Sequence, residues 1–158
     1  MNVQRIPVLL VEDQTMVRQG LRSALESYPN IEVVGEAADG ETAINKAAKL
    51  QPAVVVVDIN LPKMDGITAT RVIKSQQPEM IVLGLSVDPK DYEIYAMKKA
   101  GAFEVLKKDE AVNDLYAAIQ RAVASIQPVV ILKDPALPET ATQVSDQTSS
   151  PSSQSSDC

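Results

Sequence analysis

The stretch Val54-Val55-Val56-Val57-Asp58-Ile59-Asn60-Leu61-Pro62-Lys63-Met64-Asp65-Gly66 decides the fold of this chain. Four consecutive valines are typical of a strand that is buried on both faces, as in the middle of a parallel sheet. Asp58 stands at the carboxyl end of this strand, and a proline and an Asp-Gly turn then make the chain loop at once. Ligands bind beside the carboxyl ends of strands in open α/β sheets. Asp58 is therefore either a cap or turn residue or a chemical group.

Strand and helix patterns alternate on both sides of this stretch. Apolar runs predict five strands, at 8–11, 31–37, 54–57, 80–85 and 102–106. Apolar residues at helical spacing predict five helices, at 16–25, 43–50, 67–75, 89–99 and 112–123. Such an alternation predicts an α/β fold with a parallel sheet, right-handed crossovers and helices on both faces.

Composition excludes several classes of function. The chain has 158 residues, enough for one domain with a substantial core, and its net charge of −6 argues against direct binding to nucleic acid. It has no histidine, which excludes Ser-His-Asp triads, His-based zinc sites and a phosphohistidine on this chain. Dinucleotide and P-loop glycine motifs are absent from the sequence. No apolar run is long enough for a signal peptide or a membrane span, so we expect a cytoplasmic protein with no membrane partner. The single cysteine, Cys158, allows no disulfide within the chain, which agrees with a reducing compartment.

The composition changes after Gln127. Pro128 breaks the last predicted helix, and a short apolar patch follows at 129–132. From Lys133 onward the chain is mostly Ser, Thr, Gln and Pro, which cannot bury enough apolar surface to offset the entropy of ordering. We therefore predict one domain at 1–127 and a disordered tail, dispensable for folding, at 128–158. The patch is interpreted as a strap on the domain in preference to a docking peptide.

Polar side chains follow four of the predicted strands at their carboxyl ends. Glu12 and Asp13 follow the first strand, and Asp58, Ser86 and Lys108 lie at or just past the ends of the third, fourth and fifth. Because the carboxyl ends of parallel strands share one edge of a sheet, we expect these groups to converge. Each one alone has a structural explanation, such as a cap of helix one for Asp13, a solvated neighbour for Glu12 or a cap of helix four for Ser86. Their joint placement favours a site.

Three carboxylates at one edge need a compensating partner. Two unit charges about 5 Å apart repel by roughly 3 kcal/mol at an effective dielectric near 20. Lys108 offsets part of this repulsion, although Lys107 and Lys108 could also be a solvated pair. A hard divalent cation such as Mg²⁺ would offset the rest, and the alternative is a raised pKa on one acid.

The region from about Val3 to Ser125 resembles the receiver domain of bacterial two-component response regulators. The resemblance is carried by the ordered segments 8–13, 57–66, 84–86 and 100–102, together with Lys108. It implies a flavodoxin-like (βα)5 fold, a doubly wound parallel sheet with strand order 2-1-3-4-5. It also implies that Mg²⁺ is bound directly by Asp13 and Asp58, through water by Glu12, and by the backbone carbonyl of Asn60.

The resemblance further implies phosphorelay signalling. Asp58 would be the nucleophile that takes a phosphoryl group from a phosphohistidine on a sensor histidine kinase or phosphotransfer protein. Lys108 would pair with the phosphoryl oxygens, and the Ser86 hydroxyl would donate to them and shift a two-state equilibrium. We thus expect a phosphoacceptor that phosphorylates itself and slowly dephosphorylates itself, with no other enzymatic activity. A downstream protein target of unknown identity and a possible homodimer complete this expectation.

Three features depart from the family pattern. Val105 stands where many receivers have Tyr or Phe, so an aromatic switch at that position is not expected. Val87 follows the Ser86 hydroxyl where Ala or Gly is usual, and its bulk is expected to narrow access to Asp58. Lys107 and Asp109 around Lys108 resemble receivers that carry a helix-turn-helix output domain, yet none follows in this sequence, which suggests a stand-alone receiver.

Two other functions stay open at this point. A flavodoxin-like phosphohydrolase would also use Asp58 as nucleophile, but haloacid-dehalogenase-type enzymes place a second acid two residues later, where this chain has Asn60. A pseudo-receiver that binds a partner without phosphorylation is favoured by Val87 and Val105 and opposed by the complete set of acids with Lys108.

Overall fold

Strands and helices alternate strictly along residues 4–126, the part of the chain that the computed structural model describes. The strands are β1 (Ile6–Val11), β2 (Ile31–Ala37), β3 (Val54–Asp58), β4 (Ile81–Ser86) and β5 (Glu104–Lys107). The helices are α1 (Thr15–Glu26), α2 (Gly40–Leu50), α3 (Gly66–Gln76), α4 (Asp91–Ala100) and α5 (Lys108–Ile126).

The strands form one parallel sheet in the order β2-β1-β3-β4-β5. The valine-rich strand β3 lies in the middle, with Val8 of β1 opposite Val54 and Leu85 of β4 opposite Asp58. This arrangement confirms the predicted flavodoxin-like (βα)5 fold and the strand order that the resemblance implied. All five strands run in one direction, so their carboxyl ends lie along the same edge.

The centre of the sheet is fully covered. Every residue from Val54 to Val57 has no exposed surface, and Asp58 at the end of the strand is only 1% exposed. Each buried valine contributes about 1.5 to 3 kcal/mol relative to an exposed one, which explains why four in succession fix this strand in the interior. Val55 and Val57 pack in one core with side chains from other strands and helices, including Leu9, Ala43, Ile73, Val82 and Met97.

The element boundaries differ from the predictions mainly at β5 and α5. The strand does not begin at Ala102, because Gly101 ends α4 with a left-handed φ of 119° and the chain turns before pairing. Helix α5 begins at Lys108, four residues before the predicted Val112. Its first turn is charged and carries no apolar periodicity, but Asp109 and Glu110 suit the positive end of a helix dipole.

The described region ends before the predicted tail. One compact unit extends to Ala122, and α5 continues to Ile126. The predicted domain boundary at 127, the strap at 129–132 and the disordered tail at 128–158 lie outside the described residues and stay predictions. Among the helices of residues 4–126, none is long and apolar enough to cross a membrane.

Candidate functional site

The predicted site residues lie along the carboxyl edge of the sheet. Glu12 directly follows β1, Asp58 and Ser86 are the last residues of β3 and β4, and Lys108 is the first residue of α5. Glu12, Asp13 and Asp58 each offer a carboxylate oxygen, and these three oxygens lie within 4.8 Å of one another. The convergence predicted from parallel topology is therefore present for the three acids.

Helix capping does not explain the polar residues in this edge. The N-cap of α1 is Gln14, so Asp13 does not cap that helix, and the Asp13 side chain is exposed beside the two buried acids. The N-cap of α4 is Lys90, four residues beyond Ser86, which is a buried strand residue. The capping alternatives for Asp13 and Ser86 are wrong.

Lys108 joins the ends of two strands. Its Nζ lies 2.8 Å from Asp58 Oδ2 and 2.9 Å from Glu12 Oε1, so one ammonium group faces two buried carboxylates. Burial lowers the pKa of Lys108, but the contacts with Asp58 and Glu12 outweigh it, and the pKa is raised above its usual value. Lys108 is therefore not a solvated lysine, because its ammonium group is mostly buried between the two carboxylates.

Glu12 is completely buried, which the sequence alone did not indicate. Burial raises the pKa of its carboxyl group, and the charge of Asp58 adds to this, while Lys108 and the backbone N–H of Gln14 lower it. Glu12 thus has the raised pKa that the sequence predicts as the alternative to a cation, with desolvation as the larger cause and like-charge repulsion as a smaller one. Its Oε2 accepts the Gln14 N–H at 3.1 Å, whereas Oε1 has no aligned hydrogen bond among the described residues.

The loop after β3 holds Asp58 through the backbone. The N–H of Asn60 donates to Asp58 Oδ1 at 3.0 Å, and the N–H of Ile59 donates to the carbonyl of Leu85 at 2.8 Å. The N–H of Gly66 returns to the Ile59 carbonyl at 2.8 Å. A Cβ atom on Gly66 would lie 2.2 Å from the Asp58 carbonyl oxygen, so only glycine permits this close approach. The orientation of Asp58 depends on this packing.

The positions that depart from the family pattern differ in exposure. Val105 is partly buried and packs against the core, whereas Val87 is 68% exposed. Ser86 lies opposite Lys107 in the sheet and is one residue beyond Leu85, the partner of Asp58. The predicted roles of Ser86 and of the Asn60 carbonyl stay predictions.

Sequence reasoning missed two residues of this edge. The sequence pattern indicated Gly66 only as part of an Asp-Gly turn. A glycine directly after the site loop could also have indicated a close backbone approach, which the structure has beneath Asp58. Arg18 of α1 donates from Nη1 to the backbone carbonyl of Glu12 at 2.5 Å and from Nε to Glu36 Oε1 at 2.7 Å. No local pattern pointed to Arg18, because its acidic partner is 18 residues away in sequence.

The raised pKa of Glu12 predicts a pH-dependent stability in the absence of metal. The folded state binds the Glu12 proton more tightly than the unfolded chain, so its stabilising contribution is present below the ordinary value of 4.5 and is lost as pH rises through the raised pKa. Glu12→Gln resembles the protonated acid. We expect denaturation in a chelator to give equal stability for variant and wild type below pH 4.5, and a more stable variant near neutrality. A difference in unfolding free energy between Glu12→Gln and wild type that is the same in acid and near neutrality would contradict this prediction.

Comparison with known proteins agrees with the geometry. Residues 8–120 match the response regulator receiver domain family. The chain is 40% identical over 119 residues to the transcriptional regulatory protein LiaR of Bacillus subtilis (strain 168), a match that covers 74% of this chain and 56% of LiaR. The chain thus spans little more than half of that relative's length.

Solved structures share the fold. The response regulator domain of Thermotoga maritima CheB superposes with a TM-score of 0.72 at 27% identity, covering 77% of this chain and 98% of that domain. The isolated REC domain of RcsB from Salmonella enterica serovar Typhimurium, solved with the phosphomimetic BeF3−, gives a TM-score of 0.67 at 28% identity, covering 78% of this chain and 89% of that one. The sheet order, the acid cluster with Lys108 and the family match together show that this chain belongs to the response regulator receiver domain family.

Proposed function

We propose that this domain accepts a phosphoryl group on Asp58 in phosphorelay signalling. The observation that carries the proposal is the buried Asp58 carboxylate, which contacts Lys108 at 2.8 Å and lies within 4.8 Å of the carboxylate oxygens of Glu12 and Asp13. The donor is a phosphohistidine on a sensor histidine kinase or phosphotransfer protein. A carboxylate oxygen of Asp58 forms the new O–P bond while the P–N bond breaks. The electron pair of the P–N bond leaves with the imidazole nitrogen.

The donor set fits Mg²⁺. Glu12, Asp13 and Asp58 supply hard oxygen donors that lie within 4.8 Å of one another. Three carboxylates against one Lys108 ammonium leave an excess of negative charge that a divalent cation neutralises. We propose that Asp13 and Asp58 hold the ion directly, with Glu12 through water and the Asn60 carbonyl as a further ligand. When bound, Mg²⁺ neutralises charge on the phosphoryl group.

The protein's own groups orient the reaction. The Asn60 N–H holds Asp58 Oδ1 and the Lys108 ammonium holds Oδ2, so the carboxylate plane is fixed before the donor arrives. Lys108 then stabilises the oxygens of the transferred phosphoryl group. We propose that the Ser86 hydroxyl donates to the same oxygens and draws the loop after β4 inward. Because position 105 is valine, this movement proceeds without rotation of an aromatic ring there.

The experiment that tests the function uses a small phosphoryl donor. Incubation with acetyl phosphate and Mg²⁺ is expected to add one phosphoryl group per chain, detected as a mass increment, and omission of Mg²⁺ or addition of a chelator is expected to prevent it. The reaction is a single self-phosphorylation followed by slow hydrolysis. A pseudo-receiver would gain no mass under either condition, and a phosphohydrolase would release phosphate continuously.

Asp13→Ala is expected to have opposite effects on the stability of the metal-free domain and on its affinity for Mg²⁺. The Asp13 charge repels two neighbouring carboxylates, so its removal is expected to stabilise the metal-free domain by about 0.5 kcal/mol, because an exposed charge is strongly screened. The same change is expected to weaken Mg²⁺ binding by more than the roughly 10- to 100-fold that loss of an outer-shell partner costs. Chemical denaturation in a chelator and Mg²⁺ titration measure the two effects. A variant clearly less stable than wild type would show that Asp13 has a structural role instead.

The partners of this protein are proposals, because the chain spans only 56% of its relative LiaR. We propose a sensor histidine kinase or phosphotransfer protein as donor, a downstream protein target, and a cytoplasmic location. The homodimer and the domain boundary at 127 also stay predictions.

A further inference from the structure

Arg18 of α1 binds the peptide that joins the two acids after β1. Its Nη1 donates to the carbonyl oxygen of Glu12 at 2.5 Å, so the guanidinium holds the peptide between Glu12 and Asp13. On the other side of the same residue, the Glu12 N–H donates to the carbonyl of Ala37 in β2 at 2.9 Å. The backbone is thus held before and after the Glu12 side chain.

Glu36 fixes the Arg18 guanidinium. Its Oε1 accepts from Arg18 Nε at 2.7 Å, and its Oε2 accepts from Arg22, one turn further along α1. The two arginines hold the pKa of Glu36 below its usual value, Arg22 more strongly than Arg18, so this carboxylate remains charged. The Lys46 ammonium donates to the Glu36 backbone carbonyl at 2.5 Å, which anchors this end of β2 to α2.

Arg18 and Arg22 both contact Glu36 but differ in exposure and in their other partners. The Arg18 side chain is 16% exposed and contacts the Glu12 carbonyl, whereas the Arg22 side chain is 40% exposed and contacts Glu36 and Glu26. Each contributes one positive charge to the same network. Substitution of Arg18 therefore removes both a positive charge and the contact with the Glu12 carbonyl, whereas substitution of Arg22 removes only a positive charge from this network.

We propose that Arg18 is a positioning residue for the cation site: it holds the Glu12–Asp13 peptide so that both carboxylates face Asp58. This inference rests on the proposed function, in which these acids bind Mg²⁺. Rotation of that peptide would change the directions of the two side chains that it connects. The planar guanidinium suits the task because it donates to a carbonyl and a carboxylate at once from fixed directions.

Positioning and charge predict opposite effects of removing Arg18. Loss of a positive charge near three carboxylates would strengthen Mg²⁺ binding by Coulomb attraction alone. Loss of the contact that orients the Glu12–Asp13 peptide would weaken it, as with other outer-shell partners of metal ligands, by roughly 10- to 100-fold. The direction of the change therefore distinguishes the two explanations.

The test compares Arg18→Met with Arg22→Met. Mg²⁺ affinity is measured by amide chemical shifts in NMR titrations, and phosphorylation by acetyl phosphate is measured as a function of Mg²⁺ concentration. For Arg18→Met we expect an Mg²⁺ dissociation constant raised roughly tenfold or more, with phosphorylation that needs a correspondingly higher Mg²⁺ concentration. For Arg22→Met we expect an unchanged or slightly lower dissociation constant. Arg18→Lys, which keeps the charge without the planar fork, is expected to lie between Arg18→Met and wild type.

Each outcome decides the proposal. Unchanged or tighter Mg²⁺ binding by Arg18→Met, or equal weakening in both methionine variants, would overturn it. If Arg18→Met does not fold, Arg18→Lys is compared with Arg22→Lys, and equal affinities would likewise overturn it. Failure of the proposed function looks different, because wild type itself would then bind no Mg²⁺ and gain no phosphoryl group.

Discussion

Asp58→Asn is expected to abolish phosphorylation by acetyl phosphate and Mg²⁺. The carboxamide has nearly the shape of the carboxylate and still fits the buried position at the end of β3, where only 1% of the residue is exposed. It lacks the anionic oxygen that is proposed to attack phosphorus, and it removes the charge that Lys108 contacts. Intact-protein mass spectrometry over time, followed by peptide mapping, measures the loss and identifies the modified residue.

Asp114→Asn provides the matched control for this prediction. Asp114 is an exposed residue of α5, so its amide variant makes the same change of charge and mass without touching the site. We expect its phosphorylation to equal that of wild type. An Asp58→Asn protein that gains a stable phosphoryl group at the wild-type rate would show that another residue is the acceptor, and the proposed function would fall with it.

Gly66→Ala is expected to destabilise the domain by about 3 kcal/mol, the upper part of the range for overpacking a tight interior. The new methyl group would lie 2.2 Å from the Asp58 carbonyl oxygen and 2.8 Å from the Ile59 Cα atom. Both are backbone atoms at the end of β3 or directly after it, so relief of the clash must shift either this segment, with Asp58, or the start of α3. A displacement of about 1 Å can cost roughly 100-fold in rate, and we expect slower phosphorylation of the molecules that fold. Urea denaturation and acetyl phosphate kinetics measure the two effects.

Gly20→Ala is the control for the effect of a methyl group as such. Gly20 lies within α1, and a Cβ atom there would meet no atom within 4 Å. Alanine is favoured over glycine inside a helix, so this variant is expected to be more stable than wild type by about 0.5 to 1 kcal/mol. Loss of stability in Gly20→Ala, or none in Gly66→Ala, would show that the close approach beneath Asp58 is not the reason for glycine at position 66.

The features predicted correctly are those with a local signal. Four valines followed by an acid and an Asp-Gly turn identified the central strand and Asp58 without any partner being known. Parallel topology then required the acids at the ends of different strands to meet, and the three acids do meet. The order of the strands came from the family resemblance, because apolar runs do not record which strands are neighbours.

The features that were missed depend on residues distant in sequence. Full burial of Glu12 follows from the packing around the end of β1, not from its neighbours in the chain. The contact of Arg18 with Glu36 joins a helix to a strand, and an arginine on a helix surface is ordinarily solvated. The start of α5 at Lys108 was missed because charged residues replace the apolar spacing in its first turn.

Fifty residues separate Asp58 from the ammonium group that faces it. The ribosome adds residues in order, so Glu12, Asp13 and Asp58 are all synthesised before Lys108. A growing chain that stops short of Lys108 contains the acids without the ammonium group that contacts Glu12 and Asp58. The proposed acceptor therefore lacks its counter-charge until translation has passed β5, and we expect an incomplete product to lack the finished site.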